Sequence, residues 1–195
     1  MEAQAIRGTE GARSPFFSPD GQSVGFLVLP QMKKIAVSGG TPQNVTNVLN
    51  DVGGTSWGPN DTIVFSRAAG EAIRAVPASG GTPSALTTLK GENSHSWPQL
   101  LPGGKAVLFT NFVTAGDTSQ ILVERTDTQE RKVLVQGGTY PRYVPTGPST
   151  GLRTGHLLFA RAATLMAVPF DIDRLEHFHS WCIAYPQWRN HAAAL

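Results

Sequence analysis

Apolar residues in this chain fall in short runs separated by turn formers, not at helical spacing. Val24-Gly25-Phe26, Ile63-Val64-Phe65, Ala106-Val107-Leu108-Phe109 and Leu157-Leu158-Phe159 are one set of such runs. Each is followed by a second: Ile35-Ala36-Val37, Ile73-Arg74-Ala75-Val76, Ile121-Leu122-Val123 and Leu165-Met166-Ala167-Val168. Runs of this length, bounded by Gly, Pro, Asn and Asp, read as buried strands. Turn residues interrupt every window longer than about ten residues, so no helix is predicted. The pattern is that of an all-β chain.

The turns themselves recur. Phe17-Ser18-Pro19-Asp20-Gly21, Trp57-Gly58-Pro59-Asn60-Asp61, Leu101-Pro102-Gly103-Gly104 and Val144-Pro145-Thr146-Gly147 each precede a strand run, and counted from positions 18, 58, 101 and 144 they are spaced by 40, 43 and 43 residues. A Gly-Gly-Thr mark stands at 39, 80 and 137. Evenly spaced strands on a period of about 40 to 45 residues match one blade of a β-propeller, a four-stranded sheet packed around a central channel. A sandwich would not require the same turn at constant spacing. The segment before each Pro-turn is expected to be the innermost strand, so residues 53–57, 94–98 and 139–143 should line the channel. Phe17, Trp57 and Trp97 are expected at equivalent blade positions.

Five ordered stretches carry a family resemblance: Ser14-Pro-Phe-Phe-Ser-Pro-Asp-Gly21, Gly54-Thr-Ser-Trp-Gly-Pro-Asn-Asp-Thr-Ile-Val-Phe65, Val76-Pro-Ala-Ser-Gly-Gly-Thr-Pro83, Gly91-Glu-Asn-Ser-His-Ser-Trp-Pro98 and Leu165-Met-Ala-Val-Pro-Phe-Asp171. Together they resemble the TolB-like, WD-type propeller that follows the kinase domain in many bacterial serine/threonine protein kinases. The resemblance covers residues 9–176 and divides them into blades at 9–50, 51–90, 91–136 and 137–176. It implies a complete ring of six or more blades, of which this chain supplies three and a partial fourth, an incomplete ring. The kinase signatures are missing: there is no Gly-rich loop with a Val-Ala-Ile-Lys strand, no His-Arg-Asp loop and no Asp-Phe-Gly, which excludes phosphoryl transfer. Residues 177–195 depart from the pattern, with two Trp, the single Cys, three His and no Gly. They read as a segment foreign to the family or as a divergent closing strand.

Composition narrows the partners. Of 195 residues 15% are charged and the net charge is +2, too little for a field that gathers nucleic acid or anionic membrane. Cys182 alone forms no intramolecular disulfide and no multi-Cys metal site. Residues 1–7 contain no apolar core of a leader and no long apolar run follows, so the chain as written is expected to be soluble, without membrane insertion or export signal, in a compartment the sequence does not specify.

Candidate chemistry is sparse. Gly54-Thr55-Ser56-Trp57-Gly58 fits the Gly-x-Ser-x-Gly pattern of esterase nucleophiles, but that pattern needs a strand-to-helix elbow, and a Pro-turn follows here. Strand alternation puts Trp57 and Trp97 on one face, Ser56 and Ser96 on the other, and His95 with Trp97 unless a bulge intervenes. Asp51, Glu92, His95 and Arg142 then cluster near one channel mouth as acid, base and anion clamp. The structural alternative has His95 hydrogen-bonding between blades. Asp20, Asn60 and Asp61 sit where Asx side chains cap turns. Glu92, Asn93 and Asp51 are too few for a channel metal, and His177, His179, Cys182 and His191 are too irregular for zinc, so no metal or cofactor is expected. The leading reading is a non-catalytic sensing or interaction module that takes a protein or small-molecule ligand at the channel mouth. The alternative is an esterase-type hydrolase of small activated esters, with Ser56 or a His95-activated water as nucleophile and Asp51 or Glu92 orienting the base. An open arc with a tail rich in Trp181, Tyr185 and Trp188 is further expected to form a homo-oligomer.

Overall fold

The computed structural model describes residues 4–48, 52–67, 70–113, 119–146 and 154–177. These form sixteen strands in four antiparallel sheets of four, each a simple meander. The first sheet holds β1 (Arg13–Phe17), β2 (Ser23–Val28), β3 (Gln31–Ala36) and β4 (Gln43–Asn47). The second holds β5 (Val52–Gly58), β6 (Thr62–Arg67), β7 (Ile73–Pro77) and β8 (Ser84–Ala85). The third holds β9 (Ser94–Leu100), β10 (Ala106–Phe112), β11 (Ser119–Arg125) and β12 (Arg131–Gln136). The fourth holds β13 (Thr139–Pro145), β14 (Thr154–Arg161), β15 (Thr164–Asp171) and β16 (Glu176–His177). The arrangement is an incomplete β-propeller. Where the sequence suggested a partial fourth blade, the fourth sheet has all four strands, the last of them two residues long. Among the described residues no helix is long and apolar enough to cross a membrane.

The Pro-turns form because their side chains replace missing backbone partners. Ser18 Oγ donates to Asp20 Oδ1 at 2.6 Å, and the same oxygen accepts the Gln22 amide at 3.0 Å. In the second sheet Asn60 and Asp61 take the left-handed conformation, and Asp61 Oδ1 accepts the Trp57 indole N–H at 3.2 Å. Short polar side chains tolerate that backbone and hold it locally.

The core is three apolar seams, one between each pair of successive sheets. Phe16, Leu27 and Met32 meet Trp57, Ile63 and Phe65 in the first; Val64 and Ile73 meet Leu100, Val107 and Phe109 in the second; Leu108, Ile121 and Val123 meet Tyr143, Leu157 and Phe159 in the third. Cross-strand register identifies the repeat positions: Trp57 pairs with Ile63, Leu100 with Val107 and Tyr143 with Leu157, and all three lie buried against the preceding sheet. Phe17, paired with Val24, holds this position in the first sheet and is 62% exposed because no described sheet precedes it.

Trp97 therefore is not the equivalent of Phe17 and Trp57. Leu100 is. The reason is a bulge that the period alone does not reveal. Ser14, Gly54, Trp97 and Tyr140, each three residues before the buried position, all have positive φ (51°, 115°, 52° and 56°). The register of every innermost strand shifts at that point. In three of the four the next residue is proline, Pro15, Pro98 and Pro141, which lacks the amide a regular ladder would use and so belongs at a bulge or edge. The fourth is a glycine because a Cβ on Gly54 would lie 2.7 Å from the Trp97 Cα.

Candidate functional site

The innermost strands β1, β5, β9 and β13 pack side by side and form the concave wall of the arc. Their bulges fall at one level, so the left-handed residues come together there. The Trp97 ring stacks on Tyr140 with centroids 3.7 Å apart and planes 28° apart, and meets Phe112 edge-on at 5.5 Å. Tyr140 remains 52% exposed. Two residues beyond it, Arg142 donates from Nη1 to the carbonyls of Pro141 (2.9 Å) and Trp97 (3.4 Å). No carboxylate among the described residues pairs with Arg142. Burial draws its pKa below the ordinary value, but a guanidinium stays protonated in proteins. The wall thus presents a flat aromatic platform beside a half-desolvated cation that has donors to spare.

His95 lies elsewhere, fully buried in the seam between the second and third sheets. Its amide donates to the Glu71 carbonyl at 3.1 Å, its ring centroid is 4.4 Å from that of Phe109, and its Nδ1 is 2.8 Å from Thr87 Oγ1. Thr87 Oγ1 also accepts the Ile73 amide at 3.0 Å, so His95 bridges two blades. Desolvation, reinforced by the Arg131 charge and opposed by Glu92, lowers its pKa to about 4, and the imidazole is neutral near pH 7. Among the described residues its Nε2 has no partner; neither has Ser66 Oγ or Asn111 Oδ1, and Asn111 is the residue opposite His95 across β9 and β10.

Glu92 is tied down. Its Oε1 accepts Arg131 Nη1 at 2.7 Å and its Oε2 accepts the Lys90 amide. Burial raises its pKa, but the backbone bonds from Lys90 and Glu92 and the Arg131 charge outweigh that, and the net shift is downward. Arg131 also donates from Nε to Glu124 at 2.6 Å and from Nη2 to the Thr88 carbonyl at 2.8 Å. Ser56 sits within β5 opposite Val64, and the turn after it leads into β6 rather than a helix. Its hydroxyl makes no hydrogen bond to His95. Asp51 lies outside the described residues, as do His179, Trp181, Cys182, Tyr185, Trp188 and His191. His177 Nε2 lies 2.8 Å from the Leu134 carbonyl. Among the described residues no three His, Cys, Asp or Glu converge on a metal position.

Sequence reasoning picked out Arg142 but missed the Trp97–Tyr140 platform. The available signal was an aromatic followed by proline, repeated 43 residues apart.

Fold and wall together define an open β-propeller arc. The chain is similar in structure to TolB from Acinetobacter baumannii (TM-score 0.61, 18% identity), covering 89% of this chain and 42% of that one. It is also similar to an oligogalacturonate lyase in complex with manganese (TM-score 0.60, 10% identity, 86% of this chain and 52% of that one). A gluconolactonase from Xanthomonas campestris matches as well (TM-score 0.58, 12% identity, 82% of this chain and 57% of that one). The chain spans about half the length of each of these proteins, and at these identities the likeness is one of fold. No family model matches the chain, and no match was found among curated proteins.

Proposed function

We propose that this chain is a non-catalytic binding module, part of a propeller that takes a protein or small-molecule ligand on its concave wall at Trp97, Tyr140 and Arg142. The observation that carries the reading is the exposed aromatic platform set beside a cation with no counter-ion among the described residues, a combination suited to recognition. The sequence resemblance of residues 9–176 to kinase-associated propellers supports a sensing role within a longer protein. The same fold in a lyase and a lactonase means that fold alone does not decide the matter.

One observation favours a second reading, hydrolysis of small activated esters: His95 is neutral near pH 7 and its Nε2 has no partner among the described residues. Against it stand the burial of His95 and the engagement of Glu92 by Arg131. p-Nitrophenyl acetate separates the two. The binding reading expects turnover at the buffer rate, unaltered by Ser56→Ala or His95→Ala. A rate that falls a hundredfold or more in either folded variant would establish the hydrolase.

Self-association is the second part of the proposal. Phe17 is exposed at a position that the other three sheets bury, which supports two arcs meeting edge to edge. Light scattering at micromolar concentration should give a dimer or larger species that Phe17→Ser dissociates; a monomer throughout removes this part.

A further inference from the structure

At its turn end the seam between the third and fourth sheets is not filled. A cleft of about 480 Å3 opens there, with Leu101 and Lys105 of the β9–β10 turn on one side, Ile172 and Leu175 of the β15–β16 turn on the other, and Tyr143 between them. Its size falls within the roughly 300–1,000 Å3 of small-molecule sites. Tyr143 is only 6% exposed. Its ring meets Phe170 edge-on at 6.0 Å and lies across Gly155, where a Cβ would come within 2.5 Å of it. Glycine at 155 is what admits the ring.

The Tyr143 hydroxyl makes no hydrogen bond with a described residue. At the same register position Trp57 spends its N–H on Asp61 and Leu100 has no polar side-chain atom, so among the described seams this one alone places a side-chain donor with no described partner at the lining of a cavity. Desolvation, with Asp171 and Asp173 adding to it, raises the phenol pKa and keeps the proton in place. Two cations share the lining. Lys105 has no acidic partner among the described residues, and Arg125 has only a long contact, 3.9 Å, to the exposed Glu130. Asp173, the carboxylate of the lining, has an interaction of its own.

We propose that this cleft binds a small amphipathic anion, a carboxylate on an apolar body. The Tyr143 hydroxyl, Lys105 and Arg125 receive the carboxylate, and the body rests on Leu101, Ile172 and Leu175. The site lies at the turn end of the blades and is independent of the concave-wall reading.

Calorimetric titration of the full chain with 1-naphthoate, compared with the isosteric 1-naphthamide, tests it. Naphthoate should bind at least tenfold more tightly than the amide. Tyr143→Phe, which removes one oxygen and leaves the packing in place, should weaken naphthoate about tenfold, as expected for a lost hydrogen bond to a charged group. Lys105→Gln, at an exposed position, should abolish the preference for the carboxylate. Equal affinity for the two probes, no binding at millimolar concentration, or full affinity in Tyr143→Phe would overturn the proposal. So would loss of naphthoate binding in Arg142→Gln with Tyr143→Phe unaffected, which would move the anion to the concave wall.

Discussion

The seam between the second and third sheets and the seam between the third and fourth occupy the same place in consecutive repeats, yet they are held by different forces. In the former, Arg131 bridges Glu92, Glu124 and the Thr88 carbonyl at side-chain exposures of 11%, 14% and 2% for the three charged groups, and His95, Ser66 and Asn111 lie buried beside it. In the latter, the core is apolar, and Gln99 clasps both backbone groups of Tyr143, accepting its N–H at 2.6 Å and donating to its C=O at 3.2 Å. Its ion pair, Lys132 with Glu176, is half exposed. Equivalent register thus sets where two blades meet and leaves open what joins them. The polar seam trades stability for sensitivity to charge and pH. The apolar seam carries its charge at an exposed pair and leaves room for a cleft.

The sharpest way to break this contrast is to remove the adjacent cations one at a time. Arg131→Met should cost about 3–5 kcal/mol in urea unfolding, because it strands the buried Glu124 carboxylate and removes the partner of the partly buried Glu92. Lys132→Met should cost less than about 1 kcal/mol, the worth of an exposed pair. Comparable losses would show that the first network is no more structural than the second.

Protonation attacks the polar seam at a buried group, His95. The folded-state pKa of His95 is depressed from 6.5 to about 4, so the neutral form's contribution is fully present above pH 6.5 and is lost as pH falls from 6.5 to about 4. At about 1.4 kcal/mol per unit the loss approaches about 3 kcal/mol. Unfolding free energies at pH 7.5 and pH 4, measured for the protein and for His95→Gln, should show that decrement in the parent and a smaller one in the variant. An unchanged decrement would place the titrating group elsewhere.

Within the apolar seam, a moderate effect is expected at the clasp. Gln99→Leu leaves the Tyr143 N–H and C=O unpaired and should cost about 1–3 kcal/mol, with no dependence on pH between 4 and 7.5. Amide exchange of Tyr143 should accelerate in the variant; unchanged protection would mean that water or a shifted side chain takes over both bonds.

How much of this was legible in advance differs by level. The strands, the Pro-turns and their Asx caps followed from short-range chemistry, since a Ser-Pro-Asp-Gly segment closes on its own side chains whatever surrounds it. The candidate site was legible only in part. Arg142 stood out as a cation near an innermost strand, but Trp97 was assigned to the position Leu100 occupies, because the one extra residue at a bulge moves every later side chain to the other face. His95 was visible as a chemically interesting residue. Whether it faced the channel or a seam depended on that same bulge.

By itself the sequence determined the period, the all-β class and the meander of each sheet, because turns and apolar alternation act over a few residues. Only the tertiary structure decided which groups meet across blades: that Glu92 belongs to Arg131, that Trp97 stacks on Tyr140, that Arg142 donates to the carbonyls of Trp97 and Pro141, and that Tyr143 opens onto a cleft. Those contacts join residues about 40 positions apart, and their geometry depends on bulge and tilt summed over whole sheets, which no local pattern encodes.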